Sequence, residues 1–360
     1  MKSSKRYQRL VVKVGSSILT GGGTFILPEK LHEVVRQLSE LVKEGREVIV
    51  VTSGAIASGL SVLGFKKRPS ELSELQAAAA VGQNILMHAY STEFERFGLN
   101  AAQILLTRED FSSRQRYLNA RNTINTLLSH KVIPIINEND AISVEEIKFG
   151  DNDTLSARVA VAVEADGFML WTDIDGLYED FDPKTRTGTL IKSVEKITPE
   201  IEKIACATDK DSCIGGMSTK IEAVKIATRM GICTSVGTVS LNSVRANFDP
   251  KLTTLATIFL PEASIGSKKH WIAFEAKTHG KIVVDDGAKK ALVGNSKSLL
   301  SPGVIGVEGS FKVGDVVEIV DSSGTVFAKG KVNFSLSELS EIKGKKAKDE
   351  VVHRDNLVIL

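Results

Sequence analysis

The chain has 360 residues, 42% hydrophobic and 25% charged, with a formal net charge of +2, a length that argues for two domains rather than one core. A balance so close to neutral excludes a general electrostatic case for binding nucleic acid or a membrane surface, and no run approaches the roughly 18 apolar residues of a membrane span. Three cysteines, Cys206, Cys213 and Cys233, have no metal-type spacing, and the polar, basic start has no signal-type apolar stretch behind it; a reducing, cytoplasmic setting without membrane association is expected.

From the N-terminus, Leu10–Val14 reads as a strand, followed by apolar residues at Leu31, Val34, Val35, Leu38, Leu41 and Val42, the spacing of an amphipathic helix with Pro28 in its first turn and Gly45 at its end. Val48–Thr52 is a second strand, and the alternation continues at Ala101–Leu106, Val132–Ile136, Phe168–Thr172 and Ile232–Val236. Such alternation predicts an α/β fold, a mainly parallel sheet sandwiched by helices, with ligands beyond the carboxyl ends of the strands. Near residue 265 the texture changes. From Ile282 onward, short β-rich runs separated by glycines predict a small β-rich domain, so we expect boundaries of 1–265 and 275–360. Residues 268–360 carry 15 Lys/Arg against 12 Asp/Glu, a mild excess concentrated in Lys343–Lys348, where a solvated loop is the ordinary reading.

The residues that can carry chemistry cluster at predicted strand ends. Asn137-Glu138-Asn139-Asp140 closes the fourth strand and Gly150-Asp151-Asn152-Asp153 follows it. Each stretch alone reads as an Asn/Asp turn, but together they can orient an ammonium group, a lysine or a metal-bound phosphate. Lys13-Val-Gly-Ser-Ser17 puts a cation and a glycine at the end of the first strand, suited to phosphate oxygens although without P-loop spacing. Gly215-Gly-Met-Ser-Thr-Lys220 opens a helix whose free amides could hold an anion; Lys220 there opposes the helix dipole unless an anion compensates it. Thr172-Asp173 follows the fifth strand, with Asp173 or Asp175 facing a nucleotide or Mg²⁺, and Ser53-Gly54 at the second strand's end offers a hydroxyl and amides, or simply a helix cap. Nothing resembles a nucleophile–base pair, so positioning and electrostatics are favoured over covalent catalysis.

Lys13–Ser17, Thr52–Ile56, Gln76–Gln83, Gln103–Arg108, Tyr117–Asn119, Pro134–Asp140, Phe149–Asp153, Thr172–Tyr178 and Gly215–Lys220, with Ser298–Gly303, Gly309–Asp315 and His353–Asn356 further on, make the chain resemble the glutamate 5-kinases of the amino-acid kinase superfamily with a C-terminal PUA domain. The resemblance implies ATP- and Mg²⁺-dependent phosphorylation of the γ-carboxylate of L-glutamate, the first step of proline synthesis. It implies catalytic roles for Lys13, Lys220, Asp151 and Asp153, with the work of the two aspartates undivided and the metal ligands unassigned. Ser53, Asp140 and Asn152 match glutamate-binding positions; Lys13, Thr172, Asp173, Ile214, Gly215, Gly216, Met217, Ser218, Thr219 and Lys220 match the nucleotide site. Proline as feedback inhibitor and a homo-oligomer are further implications. Where the family often has Gly-Thr, this chain has Cys213-Ile214, and Phe181–Leu190 and residues 236–264 fit loosely. Kinases of other small acids are the near alternative. An RNA-binding or RNA-modifying PUA protein is the distant one, disfavoured by modest charge and the lack of a run of stacking aromatics; a structural or regulatory PUA domain is preferred to it.

Overall fold

The computed structural model describes residues 7–143, 151–182, 187–207, 216–238, 248, 256–262, 267–295 and 297–360. Two compact units emerge: one from residues 1–108 and 118–264, the other from Glu109–Tyr117 together with Ile265–Leu360.

In the first unit the described elements run β1 (Arg9–Val14), α1 (Ser16–Thr20), α2 (Pro28–Lys43), β2 (Glu47–Thr52), α3 (Ala55–Leu60), α4 (Leu72–Arg96), β3 (Asn100–Leu106), α5 (Arg108–Ser112), α6 (Arg114–Ser129), β4 (Val132–Glu138), α7 (Asp151–Ala162), β5 (Gly167–Trp171), β6 (Tyr178–Asp182), β7 (Thr187–Leu190), β8 (Ser193–Val194), α8 (Pro199–Ala207), α9 (Met217–Thr228), β9 (Cys233–Gly237) and β10 (Ala256–Phe259), with α5 and α6 crossing into the second unit. The main sheet has the order β3-β4-β2-β1-β5-β9-β10-β8. Neighbours from β3 through β9 are parallel, and β10 runs antiparallel to β9. All six strands expected in this region are present. The additions are β10, β8 and the β6–β7 hairpin, short elements outside the strand–helix beat.

The central strands are nearly continuous apolar runs because both faces are covered: Leu10, Val11, Val12, Val48, Ile49, Val50 and Phe168 are buried. The five buried apolar residues of α2 lie on one face, Pro28 occupies its first turn, and Gly45 beyond its end has φ +85°. Register does the positional work. Val14 pairs with both Thr52 and Trp171, and Val51 with Ile136, so β1, β2, β4 and β5 end at one level. Lys13, Ser53, Glu138 and Thr172 therefore meet at one rim of the sheet.

Helices α3 and α4 are locked by two glycines. A Cβ at Gly59 would fall inside the backbone of Ala78, and one at Gly82 inside the backbone of Ala55. Gly54, at the N-terminus of α3, has φ +107°, a backbone state that L side chains avoid.

The second unit contains β11 (Thr278–Val284), β12 (Val304–Gly309), β13 (Val316–Val320), β14 (Val326–Lys331) and β15 (Leu357–Ile359) in one sheet ordered β12-β11-β13-β14-β15, with α10 (Ser267–His270), α11 (Asp286–Asn295) and α12 (Leu336–Ile342). Its separate core gathers Ile282, Leu292, Val317, Ile319, Leu339 and Val352. Val352 makes an isolated bridge to Leu299. The segment 109–117 joins this unit through Phe111, whose carbonyl accepts from the Trp271 indole at 2.9 Å, while the Arg114 guanidinium lies 5.1 Å from the Trp271 ring.

Replacing Gly82 by Ala sets a helix-propensity gain of about 1 kcal/mol against overpacking that typically costs about 1–3 kcal/mol. The second wins because rigid backbone opposes the new methyl. Gly82→Ala is expected to lower the chemical-denaturation midpoint; an unchanged or higher midpoint would mean that α3 and α4 can separate freely.

Candidate active site

A cavity of about 590 Å³ opens at the strand ends, and Lys13, Ser53, Asp140, Asn152, Asp153, Thr172, Asp173 and Lys220 all line it. These eight residues come from six places in the chain, brought to one rim by the register of the parallel sheet.

At its floor lies an ionic triad. Asp153 is completely buried in the first turn of α7; one carboxylate oxygen is 2.7 Å from the Lys13 ammonium and the other 3.4 Å from that of Lys220. The Thr219 hydroxyl donates to the second oxygen at 2.7 Å. Burial alone would raise the Asp153 carboxyl, but the two ammonium groups and the hydroxyl outweigh it and hold it below the ordinary carboxylate value. Because the folded pKa is depressed, the associated stability is present at neutral pH and is lost only as pH falls through that lowered value. Lys13 moves the other way from a lysine on the surface: burial lowers its pKa, Asp153 opposes this, and Lys220 adds to it. Lys220 sits in the first turns of α9, where the dipole disfavours a cation; Asp153 is the anion that compensates it.

Beside the triad runs a relay of amides. Asn152 donates from Nδ2 to Ser53 Oγ and to Asn137 Oδ1, both at 3.0 Å, and its Oδ1 accepts from the Glu138 amide at 3.3 Å. Asn137 passes the chain on to Gln83 Oε1 at 2.8 Å. Thus Asn152 fixes Ser53, and α4 buttresses both through Gln83. Asp140 stands in the turn after β4, half-buried in the cavity wall.

Two glycine elements read in the sequence as anion-binding are Gly15 and Gly216. Gly216 is the N-cap of α9, where the helix's positive end and its first amides lie. A Cβ at Gly15 would make ordinary contacts, 3.6 Å from the Lys13 ammonium and 3.4 Å from the Trp171 carbonyl. Among the described residues, no cluster of three or more His, Cys, Asp or Glu could hold a metal ion. Asp153 is committed to two lysines, whereas Asp173 is exposed in the lining and within electrostatic reach of Lys13. That donor set suits a magnesium ion already coordinated by phosphates rather than a dedicated protein cage.

Of the remaining residues picked out in the sequence, Met217, Ser218 and Thr219 form the first turn of α9. The backbone of Asp151 begins α7, but its side chain lies outside the described residues, as do Ile214 and Gly215. Asn137, with Lys67 and Arg68 of the α3–α4 loop, was not singled out in the sequence. Asn137 belongs to the Asn-Glu-Asn-Asp motif, yet only the fold reveals it as the hinge of the relay; Lys67 and Arg68 belong to no motif found in the sequence.

The family model described as "Amino acid kinase family" matches residues 8–236, and the PUA domain model matches residues 280–353. A protein named glutamate 5-kinase from Caldanaerobacter subterraneus subsp. tengcongensis is 45% identical over 365 residues, covering 98% of each chain. One of the same name from Geobacter sulfurreducens is 44% identical over 371 residues, covering 99% of this chain and 98% of that one. Among solved structures, a carbamate kinase of Giardia is similar with a TM-score of 0.49 and 16% identity, covering 71% of this chain and 99% of that one.

Removing the shared anion tests the triad directly. Asp153→Ala leaves two ammonium groups buried without their partner and is expected to cost about 3–5 kcal/mol of folding stability, read by denaturant unfolding. A loss below about 1 kcal/mol would mean that the lysines escape to solvent and that the triad is not a fixed unit.

Proposed function

The chain belongs to the amino acid kinase family, and from that premise we propose that it transfers the γ-phosphoryl group of ATP to the γ-carboxylate of L-glutamate, giving L-glutamyl 5-phosphate and ADP. The observation that carries the chemistry is the Lys13–Asp153–Lys220 triad, two buried cations on one carboxylate beside the Ser53–Asn152 amide relay. The choice of acceptor rests on the relatives of the same name over nearly the whole chain.

The reaction asks little of the protein in proton transfer. A carboxylate is already ionised at neutral pH, so it needs no general base. One of its oxygens attacks the γ-phosphorus in line; the bond from that phosphorus to the β,γ-bridging oxygen breaks, and its electron pair leaves with ADP. The obstacle is repulsion between an anionic nucleophile and an anionic phosphate. Lys13 and Lys220 offset that repulsion from fixed positions, and Asp153 keeps them pointed at the cavity without reorganisation during reaction. The amides opening α9, with Gly216, Met217, Ser218 and Thr219, receive phosphate oxygens; Ile214 and Gly215 belong to the same segment. Thr172 and Asp173 face the nucleotide. Magnesium supplies charge neutralisation on the phosphates when bound, with Asp173 the lining residue suited to hold it. Asp140 receives the substrate ammonium, and Asn152 holds Ser53 towards the substrate. Asp151 joins this set on the family resemblance.

Proline as feedback inhibitor, a homo-oligomeric state and a cytoplasmic setting complete the proposal on the resemblance alone. No helix among the described residues is long and apolar enough to cross a membrane.

Turnover of Mg-ATP in the presence of hydroxylamine, compared for L-glutamate, L-aspartate, N-acetylglutamate and no acceptor, should yield hydroxamate with L-glutamate alone. In that assay Lys13→Ala and Lys220→Ala should each lower kcat by about 10²–10³-fold. Hydroxamate with a different acid would replace the assigned substrate, and none with any acceptor would remove the carboxylate-kinase reading.

The pKa of Lys13 gives a separate signature. Its charge is lost at lower pH than that of an ordinary lysine, so the alkaline limb of kcat/KM, which reports the free enzyme, should fall below the usual lysine range. The stability effect has the opposite sign: between the folded and unfolded pKa values the unfolded chain binds more protons, and stability attributable to Lys13 rises with pH. An alkaline limb at the ordinary lysine value would contradict the assignment.

A further inference from the structure

The cavity wall contains a cation that the phosphoryl chemistry does not use. Arg68, on the loop joining α3 to α4, lines the same cavity as Asp140, Ser53 and Asn152. It is exposed at the rim, which is how a Lys66-Lys67-Arg68 run reads in sequence. Its guanidinium is nevertheless partly withdrawn from water: burial lowers its pKa, and the Asp140 carboxylate is the charge that opposes this. Lys13 and Lys220 are held by Asp153 at the floor, whereas Arg68 lines the same cavity within electrostatic reach of Asp140.

An α-amino acid carries opposite charges on one carbon. Asp140 meets the ammonium, and the neighbouring carboxylate then requires a cation of its own. A guanidinium suits this better than an ammonium because its planar fork can donate two parallel hydrogen bonds to one carboxylate. We propose that Arg68 is a specificity-determining residue that receives the α-carboxylate of the acceptor, so that Asp140 and Arg68 together read the zwitterionic end of the substrate. The two side chains lie within electrostatic reach of each other on the cavity lining, and with substrate bound each meets the oppositely charged group on the α-carbon. This deepens the glutamate reading and rests on it.

The test uses the full chain with substitutions at Arg68 and, as a control for loss of one positive charge on the same loop, Lys66→Gln. The readouts are kcat and KM for L-glutamate, KM for ATP, and the inhibition constant of 4-aminobutyrate, which is glutamate without its α-carboxylate. Arg68→Gln should raise KM for L-glutamate about 10- to 100-fold, the worth of a hydrogen-bonded charge, with kcat and KM for ATP within about twofold. The inhibition constant of 4-aminobutyrate should stay unchanged, so discrimination between the two compounds collapses by the same factor. Arg68→Lys should recover part of it, and Lys66→Gln should leave every value near that of the unmodified protein. An unchanged KM in Arg68→Gln overturns the proposal; so does equal weakening of L-glutamate and 4-aminobutyrate, which would indicate a purely structural or long-range effect. If Arg68→Gln does not fold, full discrimination retained by Arg68→Ala or Arg68→Lys at wild-type KM overturns it equally. Failure of the unmodified protein to form hydroxamate from L-glutamate is a distinct result that removes the underlying reading instead.

Discussion

A single carboxylate with no exposure to solvent holds two ammonium groups at the floor of the cavity, and much of the first unit is arranged around it. Placing Asp153 there incurs a desolvation cost that only its partners offset, and those partners come from distant parts of the chain: Lys13 from the first strand, Lys220 and Thr219 from the helix α9. The ionic cluster therefore ties β1 and α7 to α9 at the rim where the proposed phosphoryl transfer would take place. A site assembled from flexible surface lysines would have to freeze them at each turnover; here folding has already done so.

The sheet register supplies the second constraint. Parallel strands ending at one level deliver Lys13, Ser53, Glu138 and Thr172 to a common rim. This part was legible in the sequence, because central parallel strands are unbroken apolar runs and the residues directly after them stand out as polar. Of the residues picked out in the sequence, Lys13, Ser53, Asp140, Asn152, Asp153, Thr172, Asp173 and Lys220 reached one cavity, whose lining does not include Gly216, Met217, Ser218 or Thr219. The β-rich texture after residue 280 likewise revealed a second core.

What sequence did not reveal has particular physical reasons. The labour of Asp151 and Asp153 could not be divided, since adjacent acidic residues differ only in the direction they take from the first turn of a helix; the fold shows Asp153 turned inward to both lysines. Asn137 looked like one more polar residue in a turn motif, and its role depends on Gln83, which lies 54 positions away. Arg68 was hidden in a basic run whose ordinary meaning is solvation. The four-residue β10, antiparallel to β9, and the two-residue edge strand β8 were missed because such short strands carry little periodic signal.

The second unit is built from two separated stretches of chain, and this bears on modularity. Phe111, Tyr117 and Trp271 are all buried, yet the first two precede the third by some 150 positions, and the Phe111 carbonyl is bonded to the Trp271 indole. A polypeptide ended at residue 264 would keep the buried rings of the 109–117 segment while discarding the Trp271 indole bonded to it. The PUA portion is thus no cassette that can be clipped off or transplanted at a single junction. Any rearrangement of these modules must carry the internal segment along with the terminal one, or else redesign its surface.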